Sequence, residues 1–285
     1  MQQVTVRVPA STSNLGPGFD CLGVALRIYN DVIVTPGGKS PLPAIARAAG
    51  DLFFQRTCCA PFSFSISIKG DVPSSRGLGG SVTVRLGVLL AMNFLSGNPL
   101  DRLSIFQLCA QLEGHPDNAA PAVFGGFTVV REKNVQRFHV STALSFILLI
   151  PNFKVETSAA RKILPSQITR AAAIENSANA SAITAAFTSG NYQNLRGAFR
   201  DHLHQPYRKK LIPFLPHVIA AAEKAGALGA FLSGSGSTIA AVTLTNPEKV
   251  AEAMHRKIEK HIARTVIVSA DNRGARLVQS PISSH

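Results

Sequence analysis

The stretch Pro73-Ser-Ser-Arg-Gly-Leu-Gly-Gly-Ser81 joins a strand pattern to a long apolar run that starts at Ser81. Its glycines at 77, 79 and 80 let backbone N–H groups converge, and a following helix would present the positive end of its dipole to the loop. This arrangement is typical of phosphate binding. It is neither a Walker loop, because no Gly-Lys-Ser follows the glycines, nor the dinucleotide fingerprint. Ser81 has two interpretations: its hydroxyl caps the helix, or it contacts a Mg²⁺ that bridges phosphates.

The segments around this loop predict an α+β fold. In residues 62–68, Phe and Ile alternate strictly with Ser, which indicates a half-buried strand. Strand and helix patterns do not alternate regularly along the chain, which argues against a doubly wound sheet. The predicted strands cover residues 3–9, 22–34, 62–68, 127–131, 144–150, 228–232, 238–244 and 265–268, and the predicted helices cover residues 81–95, 101–112, 171–187, 192–203, 213–225 and 250–262.

Pro151-Asn152 interrupts these patterns near the middle of the chain. We expect a domain boundary there, with the phosphate loop in residues 1–150 and a second domain in residues 151–285. The 285 residues are close to twice the ~150 residues of a typical domain, so two packed domains would each bury a core.

The composition excludes several classes of protein. Hydrophobic residues make up 46% of the chain and charged residues 16%, unlike a disordered or fibrous protein. No apolar run approaches the ~18 residues that a membrane helix needs. The first residues, MQQVTVRVPAS, lack the cationic start and apolar block of a secretory signal. These features predict a soluble protein of the cytoplasm with no membrane partner.

The charge balance favours anionic partners. Lys and Arg number 29 against 16 Asp and Glu, a net charge of +13, which fits nucleic acid or phosphorylated metabolites. However, the cations are scattered along the chain, and no aromatic residues alternate with a basic run as in a stacking platform for single strands. We therefore expect no nucleic-acid partner.

Three further polar segments carry side chains suited to chemistry. Residues 11–20 offer Asn14 and Asp20 around a glycine-rich turn. Residues 113–118, Glu-Gly-His-Pro-Asp-Asn, combine two carboxylates with an imidazole and an amide. Carboxylates beside a phosphate loop are natural Mg²⁺ ligands, although a polar surface loop is the alternative. Residues 233–238, Ser-Gly-Ser-Gly-Ser-Thr, lie between two apolar strands and indicate close approach of a ligand or chain segment.

Together with the phosphate loop, these segments resemble the GHMP kinase superfamily, which carries a Pro-x-x-x-Gly-Leu-Gly-Ser-Ser loop and a late Gly-Ser-Gly turn. Within it the sequence is similar to the homoserine kinase family. The similarity rests on VPASTSNLGPGFDCLGVAL, EGHPDNAAPAVFGG, SAARKILP, QPYRKKLIP and LSGSGST, which stand in the family's order between residues 8 and 238. The resemblance implies an N-terminal ribosomal-protein-S5-like domain and a C-terminal ferredoxin-like domain, with the active site in the cleft.

The resemblance also implies an activity: transfer of the γ-phosphate of ATP to the hydroxyl of L-homoserine in threonine biosynthesis. The cofactors would be ATP and Mg²⁺, with the metal held by Ser81 and Glu113. The triphosphate would be wrapped by the loop residues Pro73, Ser74, Ser75, Arg76, Gly77, Leu78, Gly79, Gly80 and Ser81. Homoserine would be held by Asn14, Asp20, His115, Asp117 and Asn118, with Arg161 and Arg208 at its carboxylate.

The chemistry of these residue types agrees with the implied roles. A carboxylate is matched by guanidinium groups, and Asp20 suits an α-ammonium. Because phosphoryl transfer rests on positioning and charge neutralisation, the catalytic candidates are Asp117, Asn118 and Asp20. Asn118 cannot act as a base. We assign Asp117 to substrate orientation, with a role as base left open.

Two departures from the family pattern stand out. Gly80 replaces the first Ser of the Ser-Ser pair, so one hydroxyl donor is missing, and a serine restored there would be expected to lower the KM for ATP. Residues 41–47, Pro-Leu-Pro-Ala-Ile-Ala-Arg, stand where the family has the Asn-Leu start of a helix near the adenine.

Two alternatives remain open. One is a related kinase that acts on another small alcohol, such as threonine. The other is a non-catalytic protein that binds anions or RNA, although Glu113 and Asp117 beside the loop would repel a nucleic-acid backbone. A homodimer is left open.

Overall fold

The computed structural model describes residues 3–38, 40–258 and 262–278, which form ten strands and nine α-helices. The strands are β1 (Val4–Asn14), β2 (Gly18–Pro36), β3 (Phe64–Gly70), β4 (Phe127–Arg131), β5 (Asn134–Phe138), β6 (Ser145–Pro151), β7 (Gly229–Leu232), β8 (Ile239–Thr243), β9 (Ala263–Val268) and β10 (Arg276–Val278). The helices are α1 (Ala44–Thr57), α2 (Gly80–Leu95), α3 (Arg102–Glu113), α4 (Ala119–Phe124), α5 (Thr157–Lys162), α6 (Arg170–Ser189), α7 (Gln205–Arg208), α8 (Leu215–Lys224) and α9 (Pro247–His255).

The strands build two antiparallel sheets. The first has the order β10-β1-β2-β4-β5, and β3 also pairs with β2. The second has the order β7-β8-β6-β9. β2 reaches three partners because it is 19 residues long: its first part pairs with β4 and its last part with β3. The topology thus makes β1 and β2 the centre of the first sheet.

A hairpin of β1 and β2 brings the segment of residues 11–20 to one end of this sheet. The strands pair from Val4 opposite Val34 to Asn14 opposite Gly18, with a register shift at Ser13/Asn14. Asn14 and Asp20 both adopt positive φ, 71° and 58°, which short polar side chains tolerate. The turn therefore presents these two side chains at the sheet end.

Alternation along the strands divides the core into layers. Phe146 and Leu148 of β6 pack with Phe187 of α6 and residues of β2, between the two sheets. Ile147 and Leu149 of the same strand face α8 and α9 on the other side. The opposite face of the first sheet is covered by α1 to α4. Strands β6, β7 and β8 of the second sheet are thus buried on both faces, whereas the edge strand β9 is partly exposed.

Most of the predicted elements are confirmed. The prediction missed the helices α1, α4, α5 and α7 and the strands β5 and β10. A helix over residues 192–203 is wrong: Tyr192–Leu195 forms a single 3₁₀ turn and a loop follows. The last helix ends at His255 and continues as a 3₁₀ turn to Ile258, while Ile262 lies outside it and is 80% exposed. Residues 259–261 of that prediction lie outside the described residues.

The chain crosses between the two sheets before β6, near its middle, and again before β10. β6, before the predicted boundary at residue 150, belongs to the second sheet, whereas β10 returns to pair with β1 in the first. The division into residues 1–150 and 151–285 stays a prediction. Within the described residues, no helix combines the length and apolar character needed to cross a membrane.

Candidate active site

A cavity of about 400 Å³ opens between the phosphate loop, the β1–β2 turn and segments of the second half of the chain. Every predicted substrate and metal residue lines it: Asn14, Asp20, Ser81, Glu113, His115, Asp117, Asn118, Arg161 and Arg208. Six of the nine predicted loop residues line it as well: Ser74, Ser75, Gly77, Gly79, Gly80 and Ser81. The structure therefore brings together segments that are up to about two hundred residues apart in the chain.

The phosphate loop depends on two of its glycines. Gly77 and Gly79 have φ of 75° and 68°. A Cβ on Gly77 would lie 2.1 Å from the backbone oxygen of Ser233, and one on Gly79 would lie 2.4 Å from the Ser11 hydroxyl. The loop thus packs directly on the Ser-Gly-Ser-Gly-Ser turn, which explains the small residues in that turn.

Three predicted loop residues do not line the cavity. Arg76 turns away and donates hydrogen bonds to the backbone oxygen of Pro151 at 3.0 Å and to Asn152 Oδ1 at 3.2 Å. Leu78 is fully buried in the core, and Pro73 is absent from the lining. Arg76 therefore ties the loop to the end of β6.

The helix after the loop begins without a side-chain cap. Its N-cap is Gly79, which makes no side-chain capping hydrogen bond. Instead, the Ser81 hydroxyl donates to Glu113 Oε2 at 2.8 Å, so of the two interpretations of Ser81 the cap is wrong. A hydroxyl, a carboxylate and neighbouring phosphate oxygens are a donor set that fits Mg²⁺.

Glu113 ends α3, where Gly114 in the left-handed region reverses the chain. Its second oxygen, Oε1, accepts a hydrogen bond from Arg85 of α2. Arg85 was not predicted as a site residue, because the sequence pattern of α2 does not show which residue a charged side chain of that helix contacts. The carboxylate is therefore held by two groups of the same helix.

Asp117 is an ionised carboxylate inside the protein. Its side chain is 3% exposed, and His115 Nδ1 lies 2.8 Å from Oδ1. Burial opposes ionisation, but hydrogen bonds from His115 and Ser13 and the charges of His115 and Arg161 lower the pKa of Asp117. Burial also disfavours the imidazolium of His115, but the hydrogen bond and charge of Asp117 raise its pKa. The pair is thus predisposed to carry opposite charges.

Asn118 is fixed by two serines of β1 that the sequence analysis did not single out. The Ser11 hydroxyl donates to Asn118 Oδ1 at 2.9 Å, and Asn118 Nδ2 donates to Ser13 Oγ at 2.8 Å. The sequence signal that could have identified them is the run of three polar residues, 11–13, in an otherwise apolar strand.

The β1–β2 turn is joined to the second half of the chain. Asn14 Nδ2 donates to the backbone oxygen of Gly234 at 3.0 Å, and Asn14 Oδ1 accepts from the backbone N–H of Asp20 at 3.0 Å. Arg161 of α5 forms a two-point ion pair with the Asp20 carboxylate. The two charges expected to hold an amino acid neutralise one another in this structure.

Arg208 is a buried cation at the floor of the cavity, 2% exposed. Nη1 donates to the Gly234 oxygen at 2.9 Å and to His204 Nδ1 at 3.3 Å, and Nε donates to the Ala160 oxygen at 3.3 Å. Burial and the nearby charge of Arg161 lower the pKa of Arg208 to about 10, so it remains charged at neutral pH.

His204 contacts Arg208 and was not predicted as a functional residue. Its Nε2 lies 2.8 Å from the Gly16 backbone oxygen, and its Nδ1 accepts from Arg208. The proton is therefore on Nε2, and burial lowers the pKa of His204 to about 4. Phe19 stacks on the imidazole with ring centroids 5.3 Å apart. The guanidinium carbons of Arg161 and Arg208 lie 5.4 and 5.3 Å from the Phe19 ring centroid, which is within cation–π range.

Comparison with known proteins finds two matching family models and several similar proteins. The model of the GHMP kinases N terminal domain matches residues 44–126, and that of the GHMP kinases C terminal matches residues 182–260. The homoserine kinase of Caldicellulosiruptor bescii is 38% identical over 298 residues, which cover 95% of this chain and 96% of that protein. The homoserine kinase of Synechocystis sp. is 39% identical over 266 residues, 85% of this chain and 86% of that protein.

A solved structure shows the same fold. The crystal structure of homoserine kinase from Cytophaga hutchinsonii matches with a TM-score of 0.89 over 98% of both chains, at 24% sequence identity. The α+β architecture of two GHMP kinase domains is therefore confirmed. Identity of 38–39% over most of the chain shows that it belongs to the homoserine kinase family of the GHMP kinases.

Proposed function

We propose that this chain transfers the γ-phosphate of ATP to the hydroxyl of L-homoserine and releases ADP and O-phospho-L-homoserine, a step of threonine biosynthesis. The observation that carries the proposal is the single cavity in which the phosphate loop faces the residues expected to hold an amino acid. The names of the similar proteins support the choice of alcohol. A cytoplasmic location and a homodimer stay predictions.

The phosphate loop and α2 supply donors for the triphosphate. The first N–H groups of a helix have no partner within the helix, and the N-cap of α2, Gly79, supplies no side-chain cap. The 16-residue helix also directs its positive end toward the cavity, where Gly80 and Ser81 line the wall. These groups favour phosphate oxygens over an uncharged ligand.

Ser81 and Glu113 are the residues that would hold Mg²⁺ beside the phosphates. The metal would neutralise phosphate charge and orient the transferring group. The Ser81 hydroxyl donates to Glu113 Oε2, and both residues line the cavity. The chain's own contribution is therefore a preoriented oxygen pair.

The opposite wall suits a zwitterion. An amino acid carries one ammonium and one carboxylate, so it can exchange the Asp20–Arg161 contact for two contacts of its own without changing the net charge. Arg208 adds a second guanidinium on the carboxylate side, and Asn14 adds an amide beside Asp20. A mevalonate-like substrate without an ammonium would leave Asp20 unpaired.

Asp117 and Asn118 would orient the reacting hydroxyl. Because its pKa is lowered, Asp117 is ionised at neutral pH and can accept a hydrogen bond from the alcohol. The lowered pKa also makes it a weak base, which fits a reaction that depends on positioning more than on proton abstraction. We therefore assign catalysis to the alignment of substrates by Asp117, Asn118 and Asp20.

A substrate panel tests the proposal. ADP release is measured with ATP, Mg²⁺ and, in separate reactions, L-homoserine, L-threonine, L-serine and mevalonate. We expect kcat/KM to be highest for homoserine. A higher value for threonine would support the related-kinase alternative, and ADP release independent of every alcohol would contradict the proposal.

A further inference from the structure

Arg85 lies on α2 one helical turn after Ser81, and the two side chains engage the two oxygens of the same carboxylate. The Arg85 guanidinium donates to Glu113 Oε1, and the Ser81 hydroxyl donates to Oε2. Among the described residues, the cavity lining includes Ser81 and Glu113 but not Arg85. The cation therefore approaches the proposed metal ligand from the protein side.

The contact is largely shielded from water. The Arg85 side chain is 22% exposed and that of Glu113 is 6% exposed. The Nε of Arg85 is buried and makes no hydrogen bond to any residue that the structure describes. The Nε–H of Arg85 is thus left without a hydrogen bond to the described residues, while Nη1 donates to Glu113. The contact with Glu113 therefore fixes the position of the Arg85 side chain.

A cation behind a metal ligand has two opposing effects on metal affinity. It orients the carboxylate, which favours binding, and it repels a divalent ion, which disfavours binding. Charge interactions are strong where water is excluded, whereas orienting the carboxylate in advance saves only the conformational entropy of one side chain. The repulsion is therefore the larger effect, and it is offset once phosphate charge enters the cavity.

We propose that Arg85 is a positioning residue that sets the divalent-cation affinity of Glu113. It neutralises the carboxylate while no nucleotide is present, so that the metal binds together with phosphates rather than alone. This inference rests on the proposed function, because it takes Glu113 as the metal ligand.

The test is Mn²⁺ binding to the nucleotide-free protein, followed by water proton relaxation, for wild type, Arg85→Met, Arg85→Lys, Glu113→Gln and the Arg85→Met/Glu113→Gln double variant. Arg131→Met is the matched control, because it removes the same charge from the exposed end of β4 outside the cavity. Thermal unfolding establishes that each variant is folded.

We expect Arg85→Met to bind Mn²⁺ on the order of tenfold more tightly than wild type, with Arg85→Lys and Arg131→Met close to wild type. The double variant should lose the gain, because the gain depends on the Glu113 carboxylate. A merely structural role of Arg85 predicts the opposite sign, since a disordered ligand binds metal less well. If Arg85→Met does not fold, Arg85→Gln replaces it in the same comparison.

Two results would overturn the inference and are distinguishable. In the first, Arg85→Met binds Mn²⁺ no more tightly than wild type, or not detectably, while Glu113→Gln still lowers the affinity for Mn²⁺ in the presence of ATP. This result would refute the role of Arg85 and leave the metal site in place. Unchanged Mn²⁺ affinity in Glu113→Gln with and without ATP removes the metal site of the proposed function, and the role of Arg85 with it.

Discussion

Arg161 donates two hydrogen bonds to Asp20, from Nη1 to Oδ2 at 2.9 Å and from Nη2 to Oδ1 at 2.7 Å. The contact joins α5 to the start of β2 across the cavity, and both side chains keep about a third of their surface exposed, 37% and 33%. A pair this exposed contributes little to stability. Its value lies in holding two opposite charges where an amino acid would enter.

Asp20→Asn should therefore impair substrate binding more than folding. Loss of a hydrogen bond to a charged group costs about 2 kcal/mol, or roughly 30-fold in the KM for homoserine. Steady-state kinetics and thermal unfolding measure the two effects. Asp31→Asn is the matched control, because Asp31 makes a similar two-point pair with Arg7 outside the cavity. An unchanged KM in Asp20→Asn would show that the substrate does not contact this carboxylate.

Glu113→Gln should lower kcat at least about 100-fold while the protein stays folded. The amide keeps the shape of the side chain but loses the charge that a catalytic Mg²⁺ needs, and each ~1.4 kcal/mol of lost transition-state stabilisation is tenfold in rate. The measurement is turnover at saturating ATP and Mg²⁺. A folded variant that keeps half of its turnover would refute Glu113 as a metal ligand.

Gly80→Ser should raise the KM for ATP, contrary to the expectation from the family pattern. Gly80 is not among the residues with positive φ, yet a Cβ there would lie 2.7 Å from the backbone oxygen of Pro73 and 3.2 Å from the Cα of Ser74. The loop would have to move, and one added donor offsets only about 1 kcal/mol. Gly80→Ala is the matched control: equal losses in both variants indicate crowding. A lower KM in Gly80→Ser alone would mean that the loop adapts and uses the hydroxyl.

Arg208→Lys should mainly raise the KM for homoserine, because lysine keeps the charge but loses the planar pair of donors. The penalty should be much smaller for 3-aminopropan-1-ol, which lacks the carboxylate. Comparing both substrates with both enzymes isolates the coupling between Arg208 and the carboxylate. Equal penalties for the two alcohols would show that Arg208 does not contact the carboxylate.

His204 should make the protein less stable as the pH falls. Its pKa is about 4 in the folded protein and about 6.5 in an unfolded chain. Between these values the unfolded state binds a proton that the folded state does not, so the free energy of unfolding falls with decreasing pH by up to about 1.4 kcal/mol per unit.

The measurement is urea unfolding at several pH values between 4 and 7 for wild type and His204→Gln. In His204→Gln the free energy of unfolding should depend less on pH than in wild type. The control His217→Gln, at an exposed position of α8, should keep the pH dependence of wild type. The same slope in wild type and His204→Gln would contradict a neutral buried imidazole.

The sequence identified the parts of the site that need unusual residue types. Gly77 and Gly79 can be recognised because glycines cluster where a strand pattern meets a helix pattern, and Glu113 can be recognised because it lies in a polar segment whose carboxylates suit Mg²⁺. Arg85 and His204 could not be recognised. Their roles depend on contacts with Glu113 and with Gly16, which lie 28 and 188 residues away in the chain.

The same distinction applies to the fold. Strict alternation predicted the strand that became β3, but the expected half-burial is not seen: Phe64 is buried, residues 65–66 are half-buried and residues 67–70 are exposed. Helix α1 was missed although Ala46, Ala49 and Phe53 are buried on one face, since small alanines give a weak periodic signal and Pro43 gives no side-chain cap. The predicted helix over residues 192–203 failed because Gly197 adopts a φ of 78°, a conformation that ends a helix.

The identity of the phosphate acceptor can be determined by ³¹P NMR of the reaction mixture. Wild-type protein is incubated with ATP, Mg²⁺ and L-homoserine, and Glu113→Gln serves as the inactive control. We expect the γ-phosphate signal of ATP to be replaced by one phosphomonoester signal, identical to that of authentic O-phospho-L-homoserine, in equal amount to the ADP formed. Release of inorganic phosphate without the phosphomonoester, or phosphomonoester formed from threonine but not from homoserine, would contradict the proposed function.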